Sequence, residues 1–104
     1  MSARGAGSVD SDEDGLVSVM RLPVDIDPHA RERMQERGAA ENEVVSTIHE
    51  GERFRAKFGR VGFRRNFKFE DVWRGRRYDT KQLEVFAVEE GGRWVVVTVI
   101  ARYF

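Results

Sequence analysis

Residues 53–69, RFRAKFGRVGFRRNFKF, alternate apolar and basic side chains with a period of two residues, a pattern typical of antiparallel strands. The two alternating runs meet at Gly59-Arg60, and a Gly-Xaa pair in that position predicts a hairpin with a two-residue turn. Such a turn places apolar residues opposite apolar ones and basic residues opposite basic ones. It sets Phe58 opposite Val61, Ala56 opposite Phe63 and Arg55 opposite Arg64.

A second hairpin is predicted further along the chain. Leu83–Val88 and Trp94–Ile100 are apolar runs joined by the turn-forming residues EEGGR. The run WVVVTVI at 94–100 is apolar at every position except Thr98, which predicts a central strand covered on both faces.

Two helices are predicted before these strands. Asp27-Pro28 is a strong helix start, and the helix HARERMQER ends at Gly38. A second helix covers Glu41–Glu50 and ends at Gly51. The run Leu16–Leu22, ended by Pro23, is either a further strand or an extended segment that leads into the domain. The order predicts an α+β fold, with two N-terminal helices packed on a mainly antiparallel sheet of four strands, or five if Leu16–Leu22 joins it.

Composition indicates one small domain. The chain has 104 residues, 18 Lys or Arg, 18 Asp or Glu and no Cys, which excludes disulfides and a thiolate nucleophile. Residues 1–15, with a net charge of −3, predict a disordered acidic tail before a single folded domain at 16–104. No membrane span and no secretory leader is recognisable, so a cytoplasmic location is expected. No credible metal-ligand spacing or phosphate-binding loop is present, so no metal or cofactor is expected.

Positive charge is concentrated in one stretch. Residues 53–77 hold ten Lys or Arg against Glu70 and Asp71, a net charge of +8. One sign of charge on a strand face favours a polyanion partner such as RNA, although basic strand faces are also simply solvated. The candidate RNA contacts are Arg33, Arg37, Arg53, Arg55, Lys57, Arg60, Arg64, Lys68, Arg74, Arg76 and Arg77.

Three residues are candidates for metal-free phosphodiester chemistry. His29 lies at a helix start, where it is either a proton carrier or an exposed capping residue. Arg65 falls on the apolar side of its strand, where it forms a salt bridge (for example with Glu84), turns outward at a bulge, or binds an anion. Lys81 either binds phosphate at the mouth of the sheet or extends its ammonium group to solvent. Tyr78 and Tyr103 are candidates for proton transfer or base stacking, with core packing as the alternative.

The helical segment resembles a known family. The run HARERMQERG at 29–38, followed by Glu43-Val44-Val45 and Ile48, resembles the opening of the bacterial domain-of-unknown-function family 4258. TKQLEV at 80–85 and WVVVTVI at 94–100 are similar to that family's closing hairpin, so the resemblance covers residues 28–104. It implies kinship with the RelE/ParE and BrnT-like toxins, small domains with two helices on an antiparallel sheet, many of which cleave RNA without a metal. No toxin catalytic set is matched residue by residue, so the resemblance assigns no site.

Three functions are compatible with this sequence. The first is a toxin-like, metal-independent endoribonuclease in which Arg65 and Lys81 stabilise charge on the scissile phosphate and His29 carries the proton. The second is a non-catalytic module that binds RNA or an acidic protein segment, such as that of an antitoxin, through the same surface. The third is an interaction domain whose basic face is covered by its own acidic tail.

Overall fold

A computed structural model describes residues 21–104, in which two helices pack on one face of a mixed five-stranded sheet. The sheet order is β1-β5-β4-β3-β2, with β1 parallel to β5 and the other neighbours antiparallel. The α+β class is therefore confirmed, with five strands. The elements are β1 (Val24–Ile26), α1 (Pro28–Arg37), α2 (Glu41–Glu50), β2 (Glu52–Arg55), β3 (Val61–Trp73), β4 (Arg76–Glu90) and β5 (Arg93–Tyr103).

The helix boundaries follow local capping signals and confirm the predicted bounds. The Asp27 carboxylate accepts a hydrogen bond from the His29 backbone N–H at 2.8 Å, and Gly38 ends α1 with φ of 74°. At the start of α2, Ala40 has no side chain to cap the helix, and its own N–H donates to Glu43 Oε1 at 3.0 Å instead.

The core lies between the helices and one face of the sheet. α1 packs on β5, and α2 packs on β4 and β3. Burial of these apolar side chains is the main stabilising contribution, about 1.5–3 kcal/mol for each large one. The largest fully buried apolar side chains are Val44, Leu83, Val85, Val96 and Val99.

The first strand differs from the predicted one. Residues 16–20 of the predicted strand lie outside the described residues, and so does the predicted domain boundary between residues 15 and 16. The remaining two residues of that prediction, Arg21 and Leu22, precede β1 and are not part of a strand. β1 instead follows Pro23 and pairs in parallel with β5. Backbone hydrogen bonds fix this position, because Trp94 N–H donates to Pro23 O at 2.9 Å and Asp27 N–H donates to Val96 O at 3.1 Å.

The other face of the sheet, here called the open face, carries no helix. β5 lies between β1 and β4, so it is an inner strand. On its open face Val95, Thr98 and Ile100 are only half-buried, and no element of residues 21–104 lies over them. The predicted cover on both faces is therefore wrong for the described part of the chain.

The register of the β2–β3 hairpin is shifted by three residues from the predicted one. Five residues, 56–60, connect the strands where the sequence predicted two. The predicted opposition of Arg55 and Arg64 is wrong, and so is the like-charge repulsion that it implied. The observed pairs are Glu52 with Arg64, Arg53 with Phe63, Phe54 with Gly62, and Arg55 with Val61.

Packing of Phe54 accounts for this register. Its ring contacts Phe86 edge-on, with 5.9 Å between ring centroids, and both residues lie on the open face. Gly62 lies beneath the ring, and a Cβ added there would come within 2.4 Å of it. Phe54 thus packs away from the core that the alternation predicted for it.

β3 and β4 extend beyond the predicted ends at Phe69 and Leu83 and meet in a turn at Arg74-Gly75. A bulge at Phe69-Glu70, where Glu70 has φ of 48°, shifts the pairing between the two strands. This hairpin forms the end of the sheet opposite the β2–β3 loop.

Candidate nucleic-acid interface

The β2–β3 loop forms a tight turn at one end of the sheet. Arg60 N–H donates to Lys57 O at 3.2 Å, and the intervening residues Phe58 and Gly59 have φ of 61° and 71°. Two successive left-handed residues are the pattern of a type I′ turn. Gly59 adopts this backbone without strain, whereas an aromatic residue rarely does. The turn holds the Phe58 side chain out in solvent, with 86% of its surface exposed.

Four cations surround this loop, and we call Arg53, Arg55, Lys57 and Arg60 the basic tip. None of them forms an ion pair within residues 21–104. The Arg53 guanidinium lies 5.3 Å from the Trp94 ring centre, and that of Arg60 lies 5.9 Å from the Phe58 ring centre. The charges of Arg53 and Arg60 are therefore stabilised by aromatic rings and solvent rather than by a carboxylate of residues 21–104.

Two clefts flank the basic tip. The basic cleft has a volume of about 590 Å³, and its lining contains three cations together with smaller and apolar residues: Arg53, Phe54, Arg55, Ala56, Gly59, Arg60 and Val61. The apolar cleft has a volume of about 380 Å³. Volumes of about 300–1,000 Å³ are typical of small-molecule sites. The apolar cleft is lined by Phe54, Ala56, Lys57, Phe58, Arg60, Phe86 and Thr98.

Arg64, a predicted RNA contact, is already neutralised. Its Nε donates to Glu84 at 2.9 Å and its Nη1 to Glu52 at 3.3 Å, while Arg102 donates to the other Glu84 oxygen at 2.9 Å. Burial acts to raise the pKa of Glu84, but the hydrogen bonds from Arg102 and Arg64 outweigh it and hold that pKa below its ordinary value. The open face therefore carries both signs of charge, which corrects the single-sign face that the alternation predicted.

The remaining predicted RNA contacts lie away from the basic tip. Arg33 pairs with Glu36 at 2.7 Å, and Lys68 with Glu70 at 3.6 Å. The predicted cations thus do not form one continuous surface. Arg37 donates to Val99 O at 2.5 Å. The last three lie at the β3–β4 turn: Arg74 donates to Glu36 O at 2.8 Å, and Arg77 donates to Glu70 O at 3.0 Å. The Arg76 guanidinium lies 5.8 Å from the Tyr78 ring centre.

The three predicted catalytic residues lie in separate environments. His29 is exposed at the start of α1, with Nε2 3.5 Å from Arg33 Nη2 and Nδ1 3.9 Å from the Glu32 carboxylate. Within residues 21–104, no hydrogen bond or ion pair joins His29, Arg65 or Lys81 to another of the three.

Arg65 lies on the helix-facing side of β3, as the alternation predicted. Its Nη1 donates to Ser46 Oγ and, at 2.9 Å, to Glu50 Oε1 on α2. A salt bridge was one of the three alternatives predicted for Arg65, and it is the one observed, although the partner is Glu50 rather than Glu84. The hydrogen bond from Arg65 and its charge hold the pKa of Glu50 below its ordinary value.

Lys81 is buried, with 8% of its side chain exposed, and it links β4 to the turn between the helices. Its ammonium donates to Gly38 O at 2.9 Å and to Glu43 Oε1 at 2.8 Å. Tyr103 supports the same turn by donating to Arg37 O at 2.7 Å, and its ring stacks on Trp73 with 5.0 Å between centroids. Burial raises the pKa of Tyr103, which fits its packing role.

Neither a metal centre nor a membrane helix is found between Arg21 and Phe104. In that part of the chain no three His, Asp or Glu side chains are grouped as ligands for a metal ion. Its helices are also too short and too polar to cross a membrane.

The alternation of residues 53–69 did not predict the apolar cleft. That pattern placed Phe54 and Phe58 together on the apolar side of the first strand, facing the core. The available signal was Gly59, because a turn glycine between two alternating runs places its immediate neighbours in the loop rather than in the strands.

A family model described as "Domain of unknown function (DUF4258)" matches residues 26–101. The match includes both helices, all of β2, β3 and β4, and most of β5. No curated protein and no solved structure matches the chain.

Proposed function

The chain belongs to the DUF4258 family, a domain of unknown function, and we propose that this member binds RNA through the basic tip. The observation that carries the proposal is the clustering of Arg53, Arg55, Lys57 and Arg60 at one loop, with no ion pair to any of them from the described residues. Elsewhere on the same sheet Arg64, Arg65 and Lys68 each have a carboxylate partner. At the β3–β4 turn, Arg74 and Arg77 donate to backbone carbonyls and Arg76 lies near the Tyr78 ring.

Phosphate groups suit this arrangement. Four neighbouring cations repel one another in the free protein, and an RNA backbone relieves that repulsion while it releases its own bound counterions. Two of the four are held against aromatic rings, as is common where basic residues and aromatics bind single strands together. A cytoplasmic location is part of this proposal, since RNA is the partner.

Cleavage of the bound RNA remains a separate prediction. Kinship with RelE/ParE and BrnT-like toxins is supported here by the order of two helices followed by an antiparallel hairpin array. A shared fold does not fix an activity, and Arg65 and Lys81 already have carboxylate partners. Binding is therefore the function that the geometry supports best, and an acidic protein segment is the alternative partner for the same cations.

The test is RNA affinity measured by fluorescence anisotropy at about 50 and about 200 mM salt. We expect the dissociation constant to rise about tenfold or more over this range, because each phosphate contact releases close to one counterion. Replacing Arg55, Lys57 and Arg60 by Gln should weaken binding and reduce the salt slope by about two. The matched control replaces Lys68, Arg76 and Arg77 by Gln, which removes the same charge from outside the basic tip.

A flat salt response, or equal weakening by the two triple variants, would remove the proposal. Gel analysis of the same incubations in EDTA reports on cleavage. If RNA is cut, the His29→Ala variant should lose cutting and keep affinity. Tighter binding of a polyglutamate peptide than of RNA would favour the acidic protein segment instead.

A further inference from the structure

Phe58 is unfavourable in the free protein for two independent reasons. Its backbone occupies the left-handed region, which costs an aromatic residue stability, and its side chain is the most exposed of the large hydrophobic residues described. Both central positions of this turn, Phe58 and Gly59, have a positive φ, and such positions favour Gly or Asn over Phe. A residue that is strained and solvated at once is a candidate for a contact with a ligand.

The surroundings of Phe58 indicate what that ligand is. The apolar cleft joins Phe58 to Phe54 and Phe86, whose rings pack edge-on to each other, with the Phe54 ring over Gly62. Lys57 and Arg60 also line the cleft, so its cations lie beside its aromatic surfaces. Flat apolar surfaces beside cations match a nucleotide, whose base is flat and whose phosphate is negative.

We propose that the apolar cleft binds one unpaired nucleobase, which stacks on Phe58 while Lys57 and Arg60 contact the adjacent phosphates. This inference rests on the proposed RNA binding and specifies its substrate class, because a base in a duplex is not free to enter the cleft. The basic cleft on the other side of the same loop then follows the neighbouring backbone.

The experiment compares two single strands of equal length and charge, one an ordinary oligoribonucleotide and the other made of abasic nucleotides. The wild-type protein should bind the base-bearing strand at least fivefold more tightly, as expected for one stacked base. Phe58→Asn should abolish this difference and leave affinity for the abasic strand unchanged. The same variant should melt at an equal or higher temperature, because Asn tolerates the left-handed turn position.

Phe104→Ala is the matched control, since Phe104 is also an exposed aromatic residue but follows β5 at the end of the sheet opposite the loop. It should preserve the preference for bases. Equal binding of both strands by the wild-type protein would overturn the base site and leave the phosphate contacts of the proposed function standing. Failure of both strands to bind would overturn the two proposals together. Self-association in the absence of RNA that Phe58→Asn abolishes, measured by sedimentation, would assign the cleft to a second copy of the chain.

Discussion

Glu84 is a buried carboxylate whose two oxygens each accept a hydrogen bond at 2.9 Å, one from Arg102 and the other from Arg64. Because these partners hold its pKa below the ordinary value, folding favours the ionised form. The stabilisation is therefore complete above the unfolded carboxyl pKa of about 4.3 and is lost as the pH falls through the lower folded value.

This linkage gives a prediction for Glu84→Gln. The variant should lose about 1–3 kcal/mol of unfolding free energy near neutral pH, because two charge-assisted hydrogen bonds are weakened. The difference from wild type should shrink below about pH 4, where protonation removes the same carboxylate charge from the wild-type protein. Urea denaturation across that pH range measures it, with Glu90→Gln, an exposed residue of the same strand, as the control. An unchanged difference at low pH would contradict the linkage.

The positions of some residues in the fold could be predicted from local sequence patterns, and those of others could not. The caps at Asp27 and Gly38 could be predicted because each depends on a few adjacent backbone groups. The inward placement of Arg65 followed from alternation alone, but its partner Glu50 lies on a different element and only the packing of α2 on β3 brings them together. Phe58 fitted the alternation, and its exposure depends on a turn that the pattern did not specify.

Among the elements, the β2–β3 hairpin shows how a correct alternation can give a wrong pairing. A period of two predicts that successive side chains point to opposite faces of the sheet, but the length of the loop determines which residues of the two strands pair. A register shift by an odd number of residues moves every side chain of one strand to the other face of the sheet. Here a five-residue connection replaces the predicted two, so Arg53 and Arg55 share the side of Phe63 while Phe54 lies on the open face. The edge-on contact of Phe54 with Phe86, a residue 32 positions later, fixes that choice.

Lys81 on β4 is hydrogen-bonded to Gly38 in the α1–α2 turn and to Glu43 in the first turn of α2. Lys81 should act as a link between β4 and the α1–α2 turn, so Lys81→Met should lower the free energy of unfolding by about 1–3 kcal/mol. The loss arises because the Gly38 carbonyl loses the Lys81 donor, and the Glu43 carboxylate loses its cation and keeps the neutral Ala40 N–H as a donor. Affinity for RNA should not change.

Lys68→Met is the control for this variant, because the Lys68 side chain is 80% exposed and its neighbour Glu70 is exposed too. Chemical denaturation of the two variants separates the roles. Full stability of Lys81→Met together with loss of RNA cleavage would favour the catalytic assignment of Lys81 over the linking one.

For the molecule as a whole, the acidic residues near position 12 and the basic tip are candidates for mutual contact. Pro23 is hydrogen-bonded to Trp94, and the Arg53 guanidinium lies 5.3 Å from the Trp94 ring centre, so the chain enters β1 beside the basic tip. The seven Cα–Cα steps from Asp14 to Arg21 can span about 25 Å when extended. The acidic side chains concerned are Asp10, Asp12, Glu13 and Asp14.

Deletion of residues 1–15 should therefore tighten RNA binding severalfold at low salt, because a tethered acidic segment competes at high effective concentration. At physiological salt the effect should fade, since charges are screened beyond about 8 Å. Anisotropy titrations of both chain lengths measure this, with thermal melting as the control for folding. Equal affinities at low salt would show that the segment is an inert leader, and a fall in melting temperature would show that the domain boundary lies earlier than residue 16.

The parallel pairing of β1 with β5 also bears on synthesis of the chain. During translation Val24 emerges some seventy residues before its partner Trp94, so β1 has no strand to pair with until most of the domain has left the ribosome. α1 is in the same position, because the strand on which it packs is β5. Contacts of such long sequence separation slow folding. The nascent domain therefore exposes apolar side chains of α1 and β4 until β5 has been synthesised. During this interval the apolar surface available to a chaperone is largest.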